Sequence, residues 1–215
     1  GSSDSVTLVA ELNPTVDAET LRGPIFRGRR DMKKIGMTDG SVQSIADFVD
    51  DSRARYEAAR RALILWDHGN GWQNVHVFNK VLTPPKETGE HSGPHDLPSD
   101  DMTGERLFVN DLRSVLDEER DIAIVGFDAC LMSMIEIAFQ LRDRAQFMVA
   151  SQHLLPAERG WPYEALLRTL TLNPRMEASE LVQTMVDTFA GSYNGTSDPV
   201  TLSALRLSIE VERAV

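Results

Sequence analysis

Residues 122–130 read IAIVGFDAC: an apolar run, Ile122 to Phe127, that stops at Asp128 and passes through Ala129 to Cys130. A short continuous apolar run with β-branched side chains and no polar alternation is the pattern of a strand covered on both faces, as in the middle of a parallel sheet. Ala62 to Trp66 (ALILW) has the same character and leads into Asp67-His68-Gly69, the start of a glycine-rich turn that ends at Trp72. Gln146 to Ala150 (QFMVA) is a third run of this kind.

Helical patterns lie between these runs. Val42, Ile45, Val49 and Tyr56 share one helical face, which predicts an amphipathic helix over roughly 41–60, with Asp39-Gly40-Ser41 offering its cap. Asn110 is placed to cap a helix reaching Arg120. Leu131 to Arg142 reads as a helix directly after the cysteine, and Pro162 to Leu170 and Ala178 to Tyr193 read as two more. Ser5 to Leu12 alternates as a strand, Leu21 to Phe26 is a weaker one broken by Gly23-Pro24, Val75 to Phe78 is short, and Val200 to Leu207 is the last. Strands alternating with helices predict an α/β layer fold around a largely parallel sheet with right-handed crossovers. Residues 79–106 break the pattern: Pro84, Pro85, Pro94 and Pro98 stand among Gly, Ser, Asp and His without apolar periodicity. A stretch of that length inside a compact domain is functional or disordered.

The bulk properties narrow the function. At 215 residues and 41% hydrophobic the chain can build one sizeable core. Its net charge of −11 repels phosphates, so nucleic acid is excluded as a partner, and its apolar runs are too short to span a membrane. Arg27, Arg29 and Arg30, with Lys33 and Lys34 close by, form a small basic cluster that reads as a solvated strand end or loop. With a single cysteine there is no internal disulfide and no Cys-rich zinc site. His76, His91, His95 and His153 lack metal-ligand spacing on a common helix, so no metal is assigned to them. Gly1-Ser2-Ser3 reads as a cloning scar, which places the native start outside the chain.

A lone cysteine is either an inert core thiol or a nucleophile, and its surroundings decide. In a parallel sheet the carboxyl ends of neighbouring strands open onto one edge, where ligands bind. His68 and Cys130 each follow such an end and are expected to meet there. With a helix starting just after Cys130, its first amides would stabilise a thiolate. An imidazole beside it could relay a proton to a leaving amine. Gly69 leaves its backbone open to close approach, and its N–H with that of Cys130 could form an oxyanion hole. The competing reading is a core cysteine and a turn histidine.

Three blocks carry a resemblance: LILWDHGNGW (Leu63 to Trp72), GFDACLMSMIEIAFQLRD (Gly126 to Asp143) and VASQHLLPAERGWPYEALL (Val149 to Leu167). They resemble the signature blocks of the clostripain family of cysteine peptidases, linked by clan to caspases, legumains, gingipains and separases. The likeness covers roughly residues 39–207 and is most specific in the Cys block. It implies an α/β fold of caspase-like type, a three-layer sandwich with a mainly parallel sheet flanked by helices. It also implies a Cys–His dyad of Cys130 and His68, an oxyanion role for Gly69, and cleavage after Arg or Lys in a protein or peptide substrate.

Cleavage after a basic residue needs an acidic pocket. Asp128 matches the acidic position of the family's Cys block, and Glu158 in the third block is a second candidate. A carboxylate facing a guanidinium in a dry pocket makes charge-assisted hydrogen bonds. The plain alternatives are a helix N-cap for Asp128 and a solvated loop charge for Glu158. Ser151 and Gln152 follow a buried strand on the same edge and either line the cleft or cap it. Trp66, ending a buried strand, is expected to pack. Some relatives are activated by self-cleavage between the His and Cys blocks, which points to Lys80 or Lys86 here. The chemistry requires no cofactor. Calcium, used by some family members, is left open, with Asp96, Asp100 and Asp101 as oxygen ligands outside any EF-hand pattern.

The likeness is weakest at the ends. Residues 1–215 read as a single peptidase domain whose first strand and carboxyl end look cut, so a further domain or partner chain is expected to complete it. That leaves a second reading, a caspase-fold regulatory or interaction module with little activity alone. Two other classes fail on the residues: a tyrosine-phosphatase loop needs an arginine where Glu136 stands, and a dinucleotide fold needs a Gly-rich turn where Leu12-Asn13-Pro14 stands.

Overall fold

The computed structural model describes residues 2–3, 5–12, 19–36, 41–66, 69, 76–79, 106–116, 121–156 and 159–207; over 76–79 and 106–111 it describes the backbone alone. The central sheet is built from the apolar runs. β5 (Arg61–Trp66), β8 (Ile122–Asp128) and β9 (Phe147–Ala150) are parallel, and β10 (Ser203–Arg206) closes the order β10-β9-β8-β5 as an antiparallel strand. All of β8 is buried. Arg61 pairs with Ile122 and Ala62 with Ile124, so Ala123 is an extra residue, a bulge that puts Ala123 and Ile124 on the same face.

The two faces of the sheet bury different helices. On one, α1 (Val42–Arg55), α2 (Val109–Val115) and α3 (Ile135–Leu141) send Ala46, Val49, Leu112, Val115, Ile137 and Leu141 against Leu63, Leu65, Val125 and Phe127. On the other, α4 (Tyr163–Leu172) and α5 (Ala178–Ser192) cover Ile64, Ile124, Phe147 and Val149 with Leu166, Val182, Met185 and Phe189. This is the expected three-layer α/β sandwich with a mainly parallel sheet.

Local chemistry sets the helix ends. Ser41 caps α1, its hydroxyl accepting from Ser44 N at 3.3 Å. Glu177 and Glu180 form a reciprocal capping box at the start of α5, and Arg60 joins that corner by donating to Glu177 at 2.5 Å.

The structure corrects the sequence reading in several places. The amino-terminal strands do not join the main sheet. β1 (Val9–Leu12) and β2 (Leu21–Phe26) pair antiparallel in a second sheet with β3 (Arg29–Arg30) and β4 (Lys33–Lys34). The basic cluster therefore lies on short exposed strands. β6 (His76–Asn79) pairs antiparallel with β7 (Arg106–Phe108), a strand that no alternating pattern predicts, so the proline-rich stretch connects two paired strands. Trp66 does not pack: it ends β5 and is 71% exposed.

The largest correction concerns the segment after the cysteine. Leu131 takes a left-handed φ of 60° and α3 begins only at Ile135. Leu131 N donates to His153 O at 3.2 Å and Ser133 N to Ser151 O at 2.8 Å, so this stretch pairs with the chain leaving β9 instead of coiling.

Phe127 is fully buried at the middle of the α1–α3 face. Phe127→Ala is expected to cost about 3–5 kcal/mol, read as a fall in the urea midpoint. A midpoint unchanged would place the core elsewhere.

Candidate active site

β5 and β8 run parallel with Trp66 opposite Asp128, so the segments that follow both strands leave the sheet at one edge. Ala150 of β9 lies at the same edge, opposite Ser203 at the start of β10. The first β5 follower that the structure describes is Gly69, and it is buried against the cysteine loop. A Cβ on Gly69 would collide with Cys130 O and come within 3.0 Å of Met132 Cγ and 3.1 Å of Ala129 Cβ. Only glycine allows the two backbones this approach. His68, its predecessor in the chain, lies outside the described residues.

Cys130 is a free, half-buried thiol. Its Sγ accepts from Leu155 N at 3.2 Å and lies 3.8 Å from Leu155 O. Together with the Leu131–His153 and Ser133–Ser151 bonds, this ties the cysteine loop to residues 151–155. With α3 starting at Ile135, the helix does not begin directly after Cys130 as the sequence reading expected. The backbone of the third block holds the thiol instead.

Asp128 closes β8 and is 4% exposed. The N-cap alternative is overturned, since no helix begins there. Both donors to its carboxylate reach one oxygen: Tyr163 OH donates to Oδ2 at 2.8 Å and Trp161 N donates to Oδ2 at 3.3 Å. Gly160, at φ 53°, lies against the same carboxylate, and a Cβ there would come 3.2 Å from Oδ2 and 3.4 Å from Oδ1. Tyr193 OH donates to Gly160 O at 3.1 Å, pinning the loop from α5.

Burial pushes the Asp128 carboxyl above its ordinary range, and the bonds from Tyr163 and Trp161 pull it part of the way back. Burial, then the charge and hydrogen bond of Asp128, drive the Tyr163 phenol well above its usual value, so it stays a donor.

Ser151 is fully buried and its hydroxyl is engaged locally. It donates to His153 O at 2.9 Å, accepts from His153 N at 3.0 Å, and lies 3.1 Å from Thr201 Oγ1. Gln152 is exposed, and its backbone N donates to Thr201 Oγ1 at 3.1 Å. Glu158 lies outside the described residues; Arg159 N and Gly160 N, which follow it in the chain, each donate to Pro156 O at 3.1 Å. Lys80, Lys86, Asp96, Asp100 and Asp101 also fall outside. Among the described residues no three His, Cys, Asp or Glu side chains gather to hold a metal ion, and no helix is long and apolar enough to cross a membrane. Tyr163 and Leu155 were not singled out from the sequence, because their parts are played by a phenol tip and a backbone amide that spacing does not reveal.

A three-layer α/β sandwich with two adjacent parallel strands delivering a cysteine loop and a close-packed glycine to one edge defines the caspase-like class of fold. The chain belongs to the clostripain family, whose family model matches residues 29–214. Clostripain of Hathewaya histolytica is 23% identical over 171 residues, which cover 76% of this chain and 30% of clostripain. Among solved structures, iotapain, a secreted cysteine protease of this family from Bacteroides thetaiotaomicron, superposes with a TM-score of 0.65 at 17% identity, over 94% of this chain and 55% of that one. An inactive zymogen of a family protease from Parabacteroides distasonis gives 0.62 at 21% identity, over 93% and 51%. These likenesses show the fold; the chain spans about half the length of these structures and 30% of clostripain.

The raised carboxyl of Asp128 has a consequence for stability. Unfolded, it titrates in the ordinary carboxyl range; folded, it titrates higher. Between those values the folded chain holds the extra proton, so stability falls as pH rises through the window, and the loss is complete above the folded value. Asp128→Asn removes the ionisation and keeps an acceptor oxygen. Its stability relative to the native chain should therefore grow as pH rises above the ordinary carboxyl range, about pH 4, measured as the difference in urea midpoints. A difference that stays flat as pH rises would contradict the assignment.

Proposed function

We propose that this chain is the catalytic part of a cysteine endopeptidase that cleaves after Arg or Lys, with Cys130 as nucleophile and His68 as acid/base. The observation that supports it most is the packing of Gly69 against the carbonyl of Cys130, since that glycine follows His68 in the chain. Family membership supports the reaction class.

In this reading the Cys130 thiolate attacks the scissile carbonyl carbon, and the C=O electron pair moves to oxygen. The N–H groups of Gly69 and Cys130 hold the oxyanion. His68 gives its proton to the leaving amine as the C–N bond breaks, leaving a thioester on Sγ. Water then loses a proton to His68 and attacks the thioester; the C–S bond breaks and the thiolate returns. Asp128 receives the cationic side chain, aided by Glu158 from the adjoining turn, while Ser151 supports the cleft wall from behind. Self-cleavage falls after Lys80 or Lys86, in the connection between β6 and β7. An inactive zymogen among its structural neighbours is in keeping with such a step. Calcium is a modulator to be tested, and no step needs it.

The test is turnover of Arg- and Lys-ended fluorogenic peptides, with and without calcium, alongside labelling by a peptidyl Arg ketone. Cys130→Ala should abolish both. His68→Ala should lower kcat/KM by about 10²–10⁴-fold. Labelling and turnover absent under all conditions, in the full-length protein as well, would favour a non-catalytic interaction module.

Self-cleavage has its own readout. Active protein should resolve into two chains on a denaturing gel, Cys130→Ala should remain one, and Lys80→Ala with Lys86→Ala should block the cut. An active, intact single chain would end that part of the proposal.

A further inference from the structure

Asp128 does not offer its two oxygens equally. A carboxylate oxygen has two acceptor positions. Oδ2 receives both Tyr163 OH and Trp161 N, whereas neither donor reaches Oδ1. The carboxylate is also held in place. Gly160 lies against both oxygens, Tyr193 OH pins Gly160, and Tyr163 is fixed as the first residue of α4. The phenol stays protonated, so the Tyr163 bond persists whichever cation arrives.

We infer that Tyr163 is a specificity-determining residue: by occupying Oδ2 it leaves Asp128 a single oxygen for the substrate and so holds back discrimination in favour of Arg over Lys. An ammonium is a compact charge that one oxygen can serve. A guanidinium presents two parallel N–H groups and reaches its best geometry on two oxygens. With Oδ2 occupied, the guanidinium forfeits the second bond while the ammonium gives up little. The inference rests on Asp128 being the cation-binding group, as proposed above.

Tyr163→Phe removes the phenol oxygen and keeps the ring, freeing one acceptor position on Oδ2. The ratio of kcat/KM for Arg-ended over Lys-ended peptides should rise about tenfold, the worth of one charge-assisted hydrogen bond, with the change carried mainly by KM. Benzamidine and n-butylamine, an amidine and an ammonium, test the same point without turnover: the ratio of their dissociation constants, measured by calorimetry on the native chain and on Tyr163→Phe, should shift towards benzamidine. A purely structural tyrosine would lower both substrates and both ligands alike, and that result overturns the inference. Asp128→Asn separates it from the reading beneath. If Asp128→Asn keeps its preference for basic substrates, the cation site lies elsewhere and both fail. If Asp128→Asn loses that preference while Tyr163→Phe leaves the Arg-to-Lys ratio unchanged, only the role of Tyr163 fails.

Discussion

A strand buried on both faces must also be paired along both edges, because no water reaches its amides and carbonyls. β8 meets this by lying between β5 and β9, parallel to each. Parallel pairing fixes direction as well as neighbours: three chains leave the sheet at the same edge, and their loops must pack on one another. The contact of Gly69 with Cys130, the lacing of residues 131–133 to 151–153, and the turn that brings Gly160 to Asp128 all follow from that crowding. The edge is polar because strand ends need partners for backbone groups the sheet no longer pairs.

Placing a carboxylate at the end of such a strand works against stability. A buried carboxyl loses hydration, and Tyr163 and Trp161 compensate only in part, as its upward shift shows. The contrast with Asp143 is instructive. There the Arg113 guanidinium grips both carboxylate oxygens and holds the carboxyl below its usual range. One acid is paired to brace α2 against the end of α3. The other is buried with no cation against it among the described residues.

The central sheet was legible because β8, β9 and β5 carry continuous apolar runs, and helix positions followed from 3.6-residue periodicity. The boundaries that failed did so where tertiary pairing overrode local preference. Leu131 to Met134 continues the helical pattern of Ile135 to Leu141, yet the amides of Leu131 and Ser133 are claimed by the carbonyls of His153 and Ser151, which lie distant in sequence. β3 and β4 consist of Arg and Lys pairs, and only their pairing with β2 makes them strands. At the site, Cys130 and Asp128 stood out because reactive and charged residues are conspicuous at the end of an apolar run. Leu155 did not, since any residue supplies an amide. Ser151 was conspicuous for its hydroxyl, but its burial depends on β10, whose approach through Thr201 no local pattern records.

Among the described residues the Leu155 amide is the one backbone donor to the cysteine sulfur, and this makes the peptide group a built-in gauge of the thiol. A thiolate, a thiol and an acylated sulfur accept hydrogen bonds with descending strength. Each chemical state of Cys130 therefore carries its own signature at the Leu155 amide proton, in chemical shift and in exchange rate. With a single cysteine in the chain, that signal has one source. The loop that steadies the sulfur also reports on it, so the progress of a covalent reaction can be followed at an atom that takes no part in the bonds being made or broken.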